Sequence, residues 1–225
     1  MKLPVKLPVK PRMKPPHHAQ AAGQALSRVS WLAPLLAAAL LAACASPSPP
    51  AQLYQLRSEP PSAVAPPPAA GAPTLQLLPP SLPELLERDA ILVSQGRSGV
   101  AALPGHRWAE PLRDAVPRLL RQDLALWLGL PQVWAAPVPA GVTVQRQLRV
   151  EVLALQADAA RSAVNLQARW TLSDPSGATP AQTRTESVTA PVQGADVDAL
   201  AAAHRAALWR LAEAMATGIR GRAAP

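Results

Sequence analysis

The sequence predicts an α+β fold: a single two-layer domain whose mixed, largely antiparallel sheet is covered by two amphipathic helices. Three observations predict it. Residues 142–172 hold two segments in which apolar side chains recur at every second position, and a more polar third strand follows at 181–189. Two further stretches, from Trp108 to Leu128 and from Val197 to Ile219, carry an apolar stripe at helical spacing. Several short apolar runs bounded by turn residues come before the first helix.

Taken in order, "QLYQLRS" (52–58) alternates enough for a strand. "TLQLLP" (74–79) and "AILVSQ" (90–95) are short apolar runs and read as strands. Between them, "PSLPELLERD" is a single helical turn or a loop. Gly96 and Gly99 suggest a hairpin turn leading into "VAAL" (100–103). From Trp108 the period turns helical, with Trp108, Leu112, Val116, Leu119, Leu120, Leu124, Trp127 and Leu128 on one stripe. Asp114 and Arg118 form an i,i+4 pair in the favoured order. Pro117 either kinks that helix or sits in its first turn with Asp114 as the cap. Gly129 and Pro131 end it.

A three-strand meander follows. Val142, Val144, Leu148, Val150 and Val152 share one face of the first strand, and Val164, Leu166, Ala168, Trp170 and Leu172 share one face of the second. "SDPSG" (173–177) is a turn, since proline presets one dihedral and glycine supplies a positive one. "AQTRTESVT" (181–189) is polar enough for a sheet edge. The closing helix is capped by Asp196 or Asp198 and buries Val197, Leu200, Ala201, His204, Leu208, Leu211, Met215 and Ile219, with Gly218 near its end. Trp108, Leu112, Trp127 and Trp170 are expected in the core. Trp134 and Trp209 fit less well, and an exposed tryptophan would meet lipid or a partner.

The net charge of +8 suggests a nucleic-acid binder until it is mapped. Before the single cysteine, Cys44, lie four lysines and two arginines and no acid; after it, sixteen arginines face fourteen acids. The balanced remainder offers no electrostatic case for a phosphate backbone, so no nucleic acid is expected. The arginines read as surface charges. The basic start, with its "KLPV" repeat, leads to the apolar run "WLAPLLAAALL" (31–41), which is too short to span a bilayer, since that takes about 20 residues. It reads as a signal peptide over 1–43, with Met13 as an alternative start.

Leu41-Ala42-Ala43-Cys44 resembles the lipobox of bacterial lipoproteins. The resemblance implies cleavage before Cys44, a diacylglycerol on its thiol and acylation (palmitate) of the new N-terminus. Two or more acyl chains make an effectively stable anchor. A lone cysteine builds neither an internal disulfide nor a multi-cysteine metal site. Residues 44–51 then form the lipidated cysteine and its tether, and 52–220 the domain, with a proline-rich insert at 59–73. Proline-rich chain runs extended and semi-rigid. Ala45 follows the cysteine where aspartate would be the usual inner-membrane retention signal, so the expected address is the periplasmic face of the outer membrane.

Little in the chain suggests chemistry. His204 lies on an apolar helix face and reads as packed; His106, in "LPGHRW", reads as a loop residue before a helix. The two share no metal-ligand spacing, so no metal is expected. "GRSG" (96–99) lacks the G-x-S-x-G elbow. No lysine follows Lys14, which excludes a P-loop and a Schiff base from the mature chain. The acids are scattered. We therefore expect no enzyme and no cofactor beyond the lipid on Cys44.

"LYQLR", "LPPSLPELLERDAILVSQ", "RWAEPLRDAVPRLLRQDLALWLG", "ARWTLSDPSG" and "LAAAHRAALWRLAEAMATGI" occur in the order found in the ABC-type transport auxiliary lipoproteins (PqiC-like), which the chain resembles over about residues 52–219. The resemblance implies a non-catalytic, outer-membrane-anchored subunit of an intermembrane lipid transport system that serves membrane integrity. Its implied partners are an MCE-domain periplasmic protein and inner-membrane ABC transporter subunits; self-association is left open. Within "RWAEPL" (107–112), Trp108 and Leu112 read as core, and Arg107 and Glu110 as a partner interface. The alternative is a structural or assembly lipoprotein of the envelope that binds a protein without handling lipid.

Overall fold

The structure is a computed structural model describing residues 50–63, 73–131 and 133–221, so Cys44, the rest of the lipobox and part of the proline-rich insert lie outside the described residues. In chain order the first strands are β1 (Gln52–Tyr54), β2 (Leu75–Leu77), β3 (Ala90–Gln95) and β4 (Gly99–Trp108), with a 3-10 turn at Glu84–Glu87. Helix α1 (Leu112–Leu128) and the short β5 (Trp134–Ala135) follow. The chain continues through β6 (Arg146–Ala157), β7 (Ala163–Ser173) and β8 (Gln182–Pro191) to α2 (Val197–Arg220).

β6 organises the mixed sheet. One side of it pairs antiparallel with β7 along its length, and β7 pairs antiparallel with β8, which is the sheet edge. The other side is shared: β2 runs parallel beside Arg146–Leu148, Ser81 bridges to Glu151, and β3 meets Ala157 through Val93. β4 pairs antiparallel with β3 and carries β1 in parallel on its far side. The result is an α+β fold with an eight-stranded sheet.

Alternation decides which face is covered. In β7, Val164, Leu166, Ala168, Trp170 and Leu172 are buried while Asn165, Gln167 and Arg169 are exposed. β6 obeys the same rule through Val152, then slips its pairing between Val152 and Ala154. The slip restores the inward direction at Leu155 and Ala157, as an extra residue in one strand must. Val142 and Val144, expected on this strand, precede it.

α2 packs across β7 and β8 and against α1. Its whole predicted stripe is buried. Leucines such as Leu200, Leu208 and Leu211 are each worth about 1.5–3 kcal/mol by leaving water. Asp196, rather than Asp198, caps the helix: its Oδ1 accepts the Ala199 N–H at 2.8 Å. Gly129 ends α1 in the left-handed conformation, its N–H turned back to the last carbonyls.

Gly218 lies inside α2, not at a cap, because the helix must approach Trp170 closely there. A Cβ at this position would fall 2.8 Å from the buried indole. Overpacking of this kind costs about 1–3 kcal/mol. Gly218→Val is therefore expected to lower the urea midpoint without changing the slope, readable by tryptophan fluorescence.

Several expectations need correction. Trp108 and His106 belong to the end of β4, not to a helix or a loop, because β1 extends the sheet and pairs Gln52 with His106 and Tyr54 with Trp108. α1 begins at Leu112 after Pro111, so Asp114 is not its cap and Pro117 is an interior residue. The carbonyl that loses its partner to Pro117 is that of Arg113, an exposed residue, where water can replace the bond. The Asp114–Arg118 pair does not form: Arg118 turns instead to Glu110, at 2.6 Å. The β1 strand is shorter than "QLYQLRS", since only Gln52–Tyr54 finds a ladder. Trp209 is buried rather than exposed. Trp108, Leu112 and Trp170 are buried, whereas Trp127 is only partly so.

Candidate functional site

The segment that follows β1, residues 55–62, is held against both helices by side chains drawn from distant parts of the chain. Tyr54 gives its carbonyl to the Ala109 N–H at 2.8 Å, and Leu56 is buried in the core. Arg118 donates to the Ser58 hydroxyl at 2.8 Å, and Gln122 to the Ser58 carbonyl at 3.1 Å. Trp209 donates its indole N–H to the Ser62 hydroxyl at 3.0 Å and packs at an angle on Trp127, with ring centroids 5.1 Å apart. These bonds make residues 54–62 a strap across the helix pair.

The centre of this clamp is a buried ion pair. Asp123 of α1 and Arg205 of α2 meet in a bidentate pair, both bonds 2.7 Å, with side-chain exposures of 0% and 5%. The remaining Arg205 donor, Nε, reaches the Arg57 carbonyl at 2.8 Å. All three guanidinium nitrogens thus donate, and the group also lies over the Trp209 ring. Burial pushes the Asp123 carboxyl above its ordinary range, and the hydrogen bond and charge of Arg205 pull it back.

His204, the next residue along α2, packs edge-on to Trp108, with ring centroids 5.2 Å apart. Its Nδ1 lies 2.8 Å from the Leu200 carbonyl, so that nitrogen carries the proton and donates. Burial lowers its pKa to about 4, the Leu200 bond raising it somewhat. It is a neutral packing group.

Sequence reasoning passed over Asp123 and Arg205. The signals were there: Asp123 interrupts the α1 stripe between Leu119, Leu120 and Trp127, and Arg205 adjoins the α2 stripe. Nothing local says that the two meet across 82 positions. Arg107 and Glu110 are placed differently from one another. Arg107 is on the surface at the end of β4, paired with Asp89 at 2.6 Å, each side chain more than half exposed. Glu110 is partly buried and bonds Arg118, which grips the strap. His106 meets the Tyr54 hydroxyl at 2.9 Å.

The cluster is thus positional rather than reactive: it fixes where the chain from the N-terminal side enters the domain. Among the described residues no three His, Cys, Asp or Glu groups gather where a metal would bind. No helix among them is long and apolar enough to cross a membrane. Fold and clamp define an α+β domain that receives its N-terminal segment along a helix pair.

The chain belongs to the ABC-type transport auxiliary lipoprotein component family, whose model matches residues 54–216. Its fold is similar to that of protein XCC0632 from Xanthomonas campestris, a member of the DUF330 family, with a TM-score of 0.62 and 22% identity over 76% of this chain and 97% of that one. A second solved structure, of an uncharacterized protein, matches with a TM-score of 0.60 and 18% identity, covering 76% and 99% of the two chains. No curated protein matches by sequence.

Proposed function

We propose that this protein is a lipid-anchored subunit on the periplasmic face of the outer membrane, docking the end of an MCE-type lipid conduit there. The observation that carries the reading is membership of the transport auxiliary lipoprotein family, over residues that begin ten positions after Cys44. The lipobox supports the anchor. The strap supports the mechanics: a short tether ends in a segment fastened to both helices, so the domain has a defined entry point above the membrane. The domain acts by docking, and its partner supplies the conduit.

Full-length chain carrying Cys44→Ala is expected to lose acylation by mass spectrometry and to be absent from the outer-membrane fraction. Affinity purification of the wild-type chain from native membranes is expected to recover an MCE-domain protein and inner-membrane transporter subunits. Recovery of neither, from a correctly lipidated chain, would sink the transport reading. Arg107 is the interface residue to change first. Its exposed pair with Asp89 is worth no more than about 1 kcal/mol, so Arg107→Ala is expected to leave unfolding almost unchanged while weakening partner recovery. Undiminished recovery removes Arg107 from the interface.

A further inference from the structure

The face of the sheet that the helices leave bare is not uniform. On β6 and β7 it is polar, with Arg149, Gln167 and Arg169 exposed. On β3 and β4 it is apolar. Ile91 is buried and Val93 packs on the core, so Ala90, Leu92 and Ser94, which alternate with them, point to the bare side. Residues directly opposite in a ladder share a face. Ala102, opposite Leu92, and Val100, opposite Ser94, are therefore on the bare side as well. Leu53 joins them through Arg107, which stands opposite both Leu53 and Ala90. Leu53 is 64% exposed and Val100 38%, unusual for large apolar side chains in this domain.

The length of chain before Leu53 says what covers this strip. Leu53 follows Cys44 by nine residues, a reach of at most about 32 Å. The strap fixes the domain end of that span. An acylated Cys44 therefore holds the strip beside the bilayer, and contact needs no separate encounter. β1 runs parallel to β4, so the tip of the β3–β4 hairpin, at 96–98, points back to the side from which the tether enters. Arg97 in that tip is exposed and forms no ion pair among the described residues, and a guanidinium suits lipid phosphates. Successive strands turn by about 20–25°, so the polar face of β7 is angled away from the strip. Five side chains are few against the about 20–30 that each side of a stable protein interface uses.

We infer that the β3–β4 hairpin and Leu53 lie against the lipid bilayer that holds Cys44, with the apolar strip at the boundary between headgroups and acyl chains. The inference rests on the anchored reading above and adds an orientation to it. Arg107 stays at the rim of the strip, its charge answered by Asp89, where bilayer and partner meet. The bare face of β7 is left to water.

The test uses the full acylated chain in vesicles of phosphatidylethanolamine and phosphatidylglycerol. Acylation of Cys44 leaves an introduced cysteine as the only free thiol. A nitroxide is placed there through Val100→Cys or, as a water-facing reference, Gln167→Cys. Both positions are exposed, so both variants are expected to unfold in urea like the wild type. Electron paramagnetic resonance reads collision of the nitroxide with oxygen, which concentrates in lipid, and with a water-soluble nickel chelate. The oxygen-to-nickel ratio is expected to be several-fold higher at Val100 than at Gln167. Equal ratios at the two positions would overturn the inference. So would little collision with either reagent at Val100, which means that protein covers the strip. A chain without an acyl group on Cys44 fails at the anchor instead, and mass spectrometry of the labelled chain tells that failure from the other two.

Discussion

Asp123→Ala is expected to lower the free energy of unfolding by about 3–5 kcal/mol, the cost of leaving one member of a buried ion pair unpaired. The geometry explains the size. Arg205 is almost wholly buried, and its three donor nitrogens are committed to Asp123 and the Arg57 carbonyl. Removing the carboxylate strands a cation among Trp209 and the helix backbones. Arg205→Met has a second consequence, because the strap loses its hold at Arg57. Limited proteolysis is expected to cut within residues 55–62 in that variant before the rest of the domain opens. The double variant Asp123→Leu/Arg205→Met separates the two effects. Replacing both members with apolar groups of similar size is often near neutral, so its loss in urea unfolding is expected well below the sum of the single losses. Additive losses would mean that the two side chains do not act as a pair.

Acid is expected to destabilise the domain between about pH 6.5 and 4 through His204. Its folded-state pKa of about 4 lies below the ordinary value of 6.5, because burial disfavours the imidazolium. The unfolded chain therefore takes up the proton first. The stabilising contribution is complete above pH 6.5 and is lost as pH falls toward 4, where it amounts to about 3 kcal/mol. The raised Asp123 carboxyl acts in the opposite sense at the acid end, since there the folded state holds a proton more readily. Comparing urea unfolding of the wild type and His204→Met across this window isolates the histidine. The variant's curve should be flatter by that amount. Parallel curves would show that His204 titrates normally in the folded state.

What could be read directly was whatever one element expresses alone. The in-facing residues of β7, the stripe of α2, the αL stop at Gly129 and the turn at 173–177 all follow from neighbours within a few positions. The residues where reading failed depended on distant partners. Trp108 looked helical because Leu112 and Val116 follow it at helical spacing, yet β1 claims it for the sheet from 54 positions away. Arg118 left its helical neighbour Asp114 for Glu110 and Ser58, where partial burial makes the pairing stronger. Trp209 sat beside the stripe in projection, but α1 and the strap close over it from a second side.

The amino-acid sequence by itself determined the α+β class, the two amphipathic helices, the meander and the family, since periodicity and short motifs are local properties of a chain. Only the tertiary structure decided that Asp123 meets Arg205 and that Gly218 must stay bare beneath Trp170. Each of these depends on which backbone groups and side chains are brought within a few ångströms by strands and helices far apart in sequence. Contact at that range, with the desolvation it imposes, is what turns an ordinary aspartate and arginine into the fastening of the fold.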